Sequence, residues 1–288
     1  MNILIMTDLE GISGIYASDQ VLPGERRFNE GREFMTADIN ACARGLKRAG
    51  AKKVYVRDCH GGSYTLIQER ISEDVDYLIL GDVGQDRFLG LDDCQAVILL
   101  GYHAMAGASS AILEHTMSSG YVQNYWINGK KAGEFAIDAG IAGDMGKPVI
   151  MVSGDDKLCS EAKSLVPNIY CAEVKKGVTA FGGVLLPLEK ARKLIEDTAY
   201  EAYKNIDKIK PLVFKKPIRL RVERVERTER AGRAQPRFQS QLRERVVHHL
   251  ERFETGARFD NEEQYLPFFY PERIAAADWA PDALFVID

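Results

Sequence analysis

Carboxylate and imidazole side chains follow three apolar runs of the sequence, at the point where each run ends. Asp8 and Glu10 come directly after the first apolar run, His60 follows a second run, and His103 follows a third. In an open α/β sheet the carboxyl ends of parallel strands face one crevice, so we expect these side chains to lie close together. Carboxylates and imidazoles are ligands of zinc and of similar divalent ions. The sequence therefore predicts a metal site.

The spacing of Asp8 and Glu10 supports this interpretation. Two residues apart in extended chain, their side chains point to the same side, so both carboxylates can serve one pair of ions. Each motif taken alone has an alternative interpretation. Asp8 could cap the next helix with Glu10 facing solvent, or it could be a nucleophile like the aspartate of some phosphatases. A single histidine after a strand, such as His60, is also often a hydrogen-bonded structural residue. The repetition at His103 favours the metal site.

Two further residues have the chemistry of a catalytic site. His115 lies twelve residues beyond His103. As a residue that does not bind metal it could act as nucleophile, general base or electrophile, and the alternative is a histidine that only packs. Glu134 stands at the start of a predicted helix of small residues. A carboxylate in a first helical turn also complements the helix dipole, so its position alone does not assign a function.

Short apolar runs alternate with helical periods along the first three quarters of the chain, which is typical of βαβ units. We predict an α/β fold with a mostly parallel sheet flanked by helices and a smaller C-terminal α+β unit. The predicted strands lie at residues 1–7, 53–57, 77–80, 96–100, 148–152 and 168–174. The predicted helices lie at about 24–50, from Asp155 to before Pro167, and about 187–206. Apolar continuity of the strands indicates burial on both faces.

The composition changes after Lys216. Every lysine lies at or before this position, whereas most arginines follow it, interleaved with glutamates. We therefore predict a metal-binding catalytic domain over residues 1–212 and a small separate unit over residues 213–288. Because the interleaved charges cancel the field that phosphates require, the arginines are interpreted as a salt-bridged solvated face, and no nucleic-acid partner is expected.

The remaining composition is that of a globular protein without a membrane partner. The chain has 288 residues, 45% hydrophobic residues and a net charge of -4, so no general attraction to nucleic acid or anionic membrane is expected. Its five cysteines have no CxxC spacing, which favours reduced thiols over disulfides or cysteine-bound zinc. The N-terminus lacks the pattern of a signal peptide, and no apolar stretch approaches the ~20 residues of a membrane span. A cytoplasmic location is predicted.

These motifs together resemble the zinc-dependent D-aminopeptidase family, also called the dipeptide transport protein DppA family. The similarity covers about residues 1–212 and departs from the family pattern beyond about Glu223, where the expected strand–helix–strand order is not matched. The matching stretches are Asp8-Leu-Glu-Gly-Ile-Ser-Gly14, Asn29-Glu-Gly-Arg-Glu-Phe-Met-Thr36, Asp58-Cys-His60, Gly81-Asp82, Gly90-Leu-Asp92, Gly101-Tyr-His-Ala104, His115, Gly133-Glu134 and Gly154-Asp-Asp156.

The resemblance implies a metalloaminopeptidase, a hydrolase that removes the N-terminal residue from short peptides containing D-amino acids. It further implies a homodecamer with enclosed active sites, and His115 as the catalytic residue proposed as nucleophile. By resemblance, two zinc ions per subunit would be bound, with Asp8 bridging them, by Asp8, Glu10, His60, His103 and Glu134.

Several alternatives stay open at the level of sequence. The same ligands would serve a binuclear metallohydrolase acting on another amide or on a phosphate ester, and a non-enzymatic peptide-binding accessory to dipeptide uptake is a further alternative. His115 would either attack the substrate or transfer a proton to the leaving amine. Manganese or cobalt would fit the ligands as well as zinc. Asp155 and Asp156 are candidates for binding the substrate's α-amino group.

Overall fold

The structure is a computed structural model that describes residues 1–83, 86–224 and 282–287. The strands are β1 Ile3–Thr7, β2 Val54–Asp58, β3 Tyr77–Ile79, β4 Ala96–Leu100, β5 Val122–Ile127, β6 Lys130–Lys131, β7 Val149–Asp155, β8 Tyr170–Thr179, β9 Gly182–Leu185, β10 Ile218–Arg224 and β11 Asp282–Ile287. The α-helices are α1 Phe28–Ala49, α2 Glu134–Asp144, α3 Asp156–Leu165 and α4 Leu188–Lys204. Short 3-10 helices lie at Ser18–Gln20, Gln68–Arg70 and Ile206–Lys208.

The chain divides into two compact units. The first comprises Met1–His115 and Gly133–Val213, and the described part of the second comprises Thr116–Ala132 with residues 214–224 and 282–287. The second unit therefore includes an internal segment as well as C-terminal residues. The division into a catalytic domain over 1–212 and a separate domain over 213–288 stays a prediction.

The first unit is built on a seven-stranded sheet in the order β3-β2-β1-β4-β7-β8-β9. Every neighbouring pair is parallel except the edge pair of β8 and β9. The strand order reverses between β1 and β4, and in such sheets ligands bind in the crevice beyond the carboxyl ends at this point. Thr7 at the end of β1 is level with Asp58 of β2 and Leu100 of β4. The loops that follow these three strands therefore begin at the same edge.

Burial explains why these apolar runs form the centre of the sheet. All residues of β1, β2, β4 and β7 are buried, as expected for parallel strands covered on both faces. Helix α1 packs against α4, and their small residues permit a close approach: a Cβ at Gly45 would lie 2.1 Å from the carbonyl oxygen of Glu196. The predicted α/β class with a mostly parallel sheet is thus confirmed.

The described strands of the second unit form an antiparallel sheet in the order β11-β10-β5-β6. Its register pairs Leu220 with Ile127 and with Phe285. Strands β5, β6 and β11 were not predicted from the sequence. The residues 225–281, including most of the Arg-rich stretch and the aromatic segment near residue 265, lie outside the described ranges.

Most predicted elements of the first unit match the observed ones within a few residues. The strand at 96–100 is observed over the same residues, and the helix predicted at about 187–206 is observed as Leu188–Lys204. Strand β8 is longer than predicted because it continues into a hairpin with β9. Within the described ranges, each helix is too short or too polar to cross a bilayer.

Candidate metal centre

Two loops at the switch point pack backbone against backbone. The amide of Asp8 donates to the carbonyl of Leu100 (2.9 Å), and the amide of Gly11 donates to that of Gly101 (2.7 Å). A Cβ at Gly11 would lie 1.7 Å from the carbonyl oxygen of Tyr102, and one at Gly101, where φ is +73°, would lie 2.4 Å from that of Asp8. Only glycine permits this approach. It brings the loop after β1 directly onto the loop after β4.

All five side chains predicted as metal ligands meet at this edge of the sheet. The Nε2 atom of His103 lies 3.4 Å from Asp8 Oδ2 and 3.2 Å from Glu134 Oε1. The Nε2 atom of His60 lies 3.5 Å from Glu10 Oε1. The carboxylates come from the loop after β1 and from the first residue of α2. Four of the five residues, all except His60, are classed as buried, so little solvent reaches the cluster.

The orientation of His60 is fixed by the short loop after β2. Buried Asp58 accepts hydrogen bonds from the amides of His60 (3.2 Å), Thr65 (2.5 Å) and Leu66 (3.3 Å), which folds the loop back on the strand end. The Nδ1 atom of His60 lies 3.2 Å from the Thr65 hydroxyl. The opposite ring nitrogen, Nε2, is thereby left to face Glu10.

The tautomers of the other two imidazoles follow from their backbone contacts. The Nδ1 atom of His103 lies 3.0 Å from the carbonyl oxygen of Ala104, and Nδ1 of His115 lies 3.0 Å from that of Leu113. A carbonyl oxygen only accepts, so Nδ1 carries the proton in each ring. In a neutral ring the lone pair is then on Nε2, the atom that faces the carboxylates. Metal-binding histidines are commonly oriented in this way.

His115 lies at the edge of the same cluster. Its Nε2 atom is 3.7 Å from Glu134 Oε1. The segment before it is held by two hydrogen bonds, from the amide of Ile112 to Asp155 Oδ2 (3.0 Å) and from the amide of Leu113 to the carbonyl of Ala180 (2.9 Å). Leu113 has a φ of +53°, a conformation that is costly for a residue with a side chain and that such contacts must maintain.

The charges of the cluster shift the protonation of its members. Burial alone would raise the pKa of Glu10, but the hydrogen bond and charge of His60 outweigh it and hold that pKa well below its usual range. The pKa of His60 is raised to about 9, since Glu10 outweighs the opposing effect of burial. For the same reason the pKa of His103 is raised well above its usual value by Glu134 and Asp8, and that of Glu134 is lowered. The carboxylates of the cluster thus stabilise positive charge that lies among them.

The donor atoms fit a divalent cation. Two buried atoms, Glu10 Oε2 and His103 Nε2, have no hydrogen-bond partner, which is costly unless another group binds them. Donor atoms of Asp8, Glu10 and His103 lie within 4.8 Å of one another, and so do those of His103, His115 and Glu134. Oxygen and imidazole nitrogen donors suit zinc or a similar ion. The second group shows that His115 also lies within reach of a metal.

A buried hydrogen-bond network beside the cluster was not predicted from the sequence. Arg87 donates two hydrogen bonds to Asp138 (2.9 and 2.8 Å), and the Tyr102 hydroxyl donates a third (2.6 Å). Tyr102 precedes His103, and Asp138 lies one turn after Glu134 on α2, so the network joins the elements that carry two predicted ligands. The position of Asp138, four residues after Glu134 on the same helix face, is the signal that could have indicated it.

Two residues considered for binding a substrate amine have structural roles instead. Asp155 caps α3 by accepting from two amides of its first turn, and its other oxygen accepts from Ile112. Asp156 accepts from the amide of Gly177 (3.0 Å) and pairs with Lys157 (2.7 Å). The helix predicted to start at Asp155 is confirmed, with Asp155 as its N-cap. Both carboxylates are occupied by these contacts, so the geometry does not favour the binding of an amine.

Comparisons with known proteins agree with this site. The model of the peptidase M55 family, described as D-aminopeptidase, matches residues 1–248 and so extends past residue 212, where the resemblance in motifs ends. A D-aminopeptidase of Bacillus subtilis (strain 168) is 37% identical over 215 residues, which cover 74% of this chain and 77% of that protein.

A solved structure is also similar. The zinc-dependent D-aminopeptidase DppA from Bacillus subtilis, described as a self-compartmentalizing protease, matches with a TM-score of 0.75 and 33% identity, covering 78% of this chain and 82% of that chain. The resemblance stated from motifs and the prediction of a metalloaminopeptidase are confirmed, whereas the individual ligands and the number of ions stay predictions. On the match to the family model and on these two similarities, the chain belongs to the D-aminopeptidase family.

Proposed function

We propose that this chain removes the N-terminal residue from short peptides containing D-amino acids, using two zinc ions. The observation that carries the proposal is the meeting of three carboxylates and two imidazoles at the switch point of the sheet, with Nε2 of each ring facing a carboxylate. Membership of the D-aminopeptidase family and similarity to a zinc-dependent relative support the metal and the substrate class.

The distances suggest how the ligands divide between two ions. Glu10 and His60 form one pair, and His103 and Glu134 form another, with Asp8 beside His103. Asp8 has a donor atom within 4.8 Å of those of both Glu10 and His103 and would contribute to both ions, as the family resemblance implies. The three carboxylates together carry the charge that two dications would neutralise.

Zinc ions, when bound, polarise a scissile carbonyl and lower the pKa of water from about 15.7 toward ~7. The protein's contribution is to hold the ligands rigidly and to limit solvent. His115 keeps about 17% of its side chain exposed, more than His60 or His103, and its proton-accepting Nε2 faces the carboxylate cluster. We assign it to transfer of a proton to the leaving amine, with direct attack on the carbonyl as the alternative role.

Hydrolysis of stereoisomeric dipeptides tests the proposed function. Zinc-loaded protein is incubated with D-Ala-D-Ala, L-Ala-L-Ala and p-nitrophenyl phosphate, and a chelator-treated sample is the control. We expect release of free alanine from the D-dipeptide, its loss after chelation and its return on addition of zinc. Phosphatase activity alone would favour a phosphoesterase, and binding of the peptide without turnover would favour an accessory protein for uptake.

We further propose that the chain acts as a homo-oligomer with enclosed active sites, because a relative of 33% identity is described as self-compartmentalizing. A homodecamer is the specific expectation, and light scattering coupled to gel filtration tests it. All five cysteines are free thiols, which fits the proposed cytoplasmic location, where thiols stay reduced.

A further inference from the structure

A buried lysine reaches the loop that carries two of the proposed ligands. Lys175 lies on β8 and is 2% exposed. Its Nζ atom donates hydrogen bonds to the carbonyl oxygens of Glu10 (2.6 Å), Ile12 (3.0 Å) and Ile15 (2.8 Å). A residue at least 160 positions away in sequence thus binds three points of the loop after β1, including the backbone of Glu10 itself.

The chemistry of Lys175 is matched to this loop. An ammonium group has three N–H donors and no acceptor, and three carbonyl oxygens receive them. Within the described ranges, no carboxylate oxygen lies within 4.0 Å of Lys175 Nζ, the limit for an ion pair. All three of its hydrogen bonds therefore go to the loop. Burying a lysine in this way is costly unless each donor is satisfied. The three carbonyl oxygens meet this requirement, so the buried ammonium and the conformation of the loop depend on each other.

A second buried side chain, a carboxylate, also holds the loop. Asp38 of α1 accepts from the amide of Ser13 (2.9 Å) and from its hydroxyl (2.6 Å), and it is fully buried. The loop itself contains no helix or strand between β1 and Ser18. Side-chain hydrogen bonds from two distant elements therefore add to the backbone hydrogen bonds of Asp8 and Gly11 in setting its conformation.

We propose that Lys175 is a positioning residue for Glu10 and, through it, for the metal ion held by Glu10 and His60. Three bonds to one short loop fix where its backbone lies, and a carboxylate on that loop must be placed within a fraction of an ångström to bind a metal. The ion held by His103 and Glu134 takes these two ligands from other elements and shares only Asp8, which directly follows β1, so it should be affected less. The inference rests on the two-ion site of the proposed function.

The test is the retention of zinc by the full chain at increasing chelator concentration. Lys175→Met keeps the length and apolar body of the side chain but removes the donors. Lys175→Gln keeps two donors, and Lys176→Met is the matched control, because the neighbouring Lys176 side chain is 68% exposed. Zinc is counted by mass spectrometry of the metal, and folding is followed by circular dichroism.

We expect Lys176→Met to hold two ions, and to bind each of them as tightly as wild type does. In Lys175→Met one of the two ions should bind roughly 10–100-fold more weakly, as is typical when a residue supporting a ligand is lost. Lys175→Gln should lie between. A folded Lys175→Met that keeps both ions as tightly as wild type overturns the proposal, and so does equal weakening of both ions.

Other outcomes also decide the question. If Lys175→Met does not fold, the glutamine variant takes its place in the comparison. Failure of both variants to fold assigns Lys175 to the stability of the unit and overturns the positioning role. Wild-type protein that binds no zinc refutes the proposed function itself, which is a different result from loss of one ion in the variants alone.

Discussion

The imidazole rings of His103 and His115 stack, with ring centroids 3.9 Å apart and an interplanar angle of 11°. The side chain of His103 is only 1% exposed and its Nδ1 is bound to the backbone, so it forms a fixed surface for the second ring. The stack orders His115 beside the ligand cluster while one side stays open to solvent. This geometry suits a group that must exchange protons without being displaced.

We expect His115→Ala to lower kcat by about 10²–10⁴-fold, the usual contribution of a general acid or base, without loss of zinc. His115→Gln serves as a second variant that retains a polar group of similar length. Turnover of D-Ala-D-Ala and zinc content are measured on the same samples. Since His115 lies within reach of a metal, loss of one ion in both variants would instead identify it as a ligand.

Replacing different ligands should give different metal stoichiometries. Asp8→Ala is expected to lose both ions, because Asp8 is proposed to bridge them, whereas His60→Ala should retain one. Asp19→Ala, in the same region but paired with Arg27, is the control and should keep two. Zinc is counted after dialysis. Retention of two ions by Asp8→Ala is incompatible with a bridging role.

Gly11→Ala should destabilise the protein by about 3 kcal/mol or more, because its Cβ would overlap the carbonyl oxygen of Tyr102 and force two backbones apart. Gly146→Ala is the control: φ there is +73°, but nothing lies within 4 Å of the added Cβ. That variant should cost about 1–2 kcal/mol for its conformation alone. Urea unfolding measures both, and equal losses would contradict the importance of the close approach.

Tyr102→Phe removes one of three hydrogen bonds to buried Asp138. We expect a loss of about 1.5–3 kcal/mol in the free energy of unfolding, as for a hydrogen bond to a charged group. Tyr200→Phe is the control, since its ring retains the contact with Arg48. The measurement is again urea unfolding. An unchanged stability in Tyr102→Phe would show that Arg87 alone satisfies Asp138.

The pH dependence of stability should contain a contribution from Glu161. Burial raises the pKa of this carboxyl from 4.5 to about 7, even though it accepts a hydrogen bond from the amide of Met105. The folded state therefore holds a proton that the unfolded state releases, and this stabilisation is complete below about pH 4.5 and is lost as pH rises through about 7.

Glu161→Gln removes the titration while keeping an acceptor for Met105. Relative to wild type, the Tm of the variant should rise as pH increases from about 5 to about 8, because only wild type must ionise a buried group. Glu173→Gln, at a partly exposed side chain of β8, should follow wild type. A constant difference in Tm between Glu161→Gln and wild type across this range would rule out the contribution.

Local patterns of the sequence predicted the six parallel strands of the first sheet and the donors that follow three of them. The apolar run at 96–100 becomes β4 because a fully buried parallel strand must be apolar on both faces. Gly50, predicted to end α1, does so with φ of 101°. Parallel strands end at one edge of the sheet. Asp8, His60 and His103 therefore lie together because the strands before them, β1, β2 and β4, are neighbours.

Strands β5, β6 and β11 of the second sheet and the hairpin of β8 and β9 were not predicted because their signals are not local. Strand β5 belongs to the internal segment Thr116–Ala132, yet it pairs with β10, almost a hundred residues later. Buried and exposed residues of β5 do not alternate regularly, so the segment lacks the two-residue period that is typical of a strand. Pairing between distant strands depends on partners that a window of sequence does not contain.

By itself, the sequence determined the donor types at the strand ends, because side-chain chemistry and hydrophobic period are local properties. Only the tertiary structure decided how those donors are supported: the contact of Gly11 with the loop after β4, the Asp138 network and the three bonds from Lys175. Each of these joins residues far apart in the chain. Their free energy arises from packing and burial, which exist only once the chain has folded.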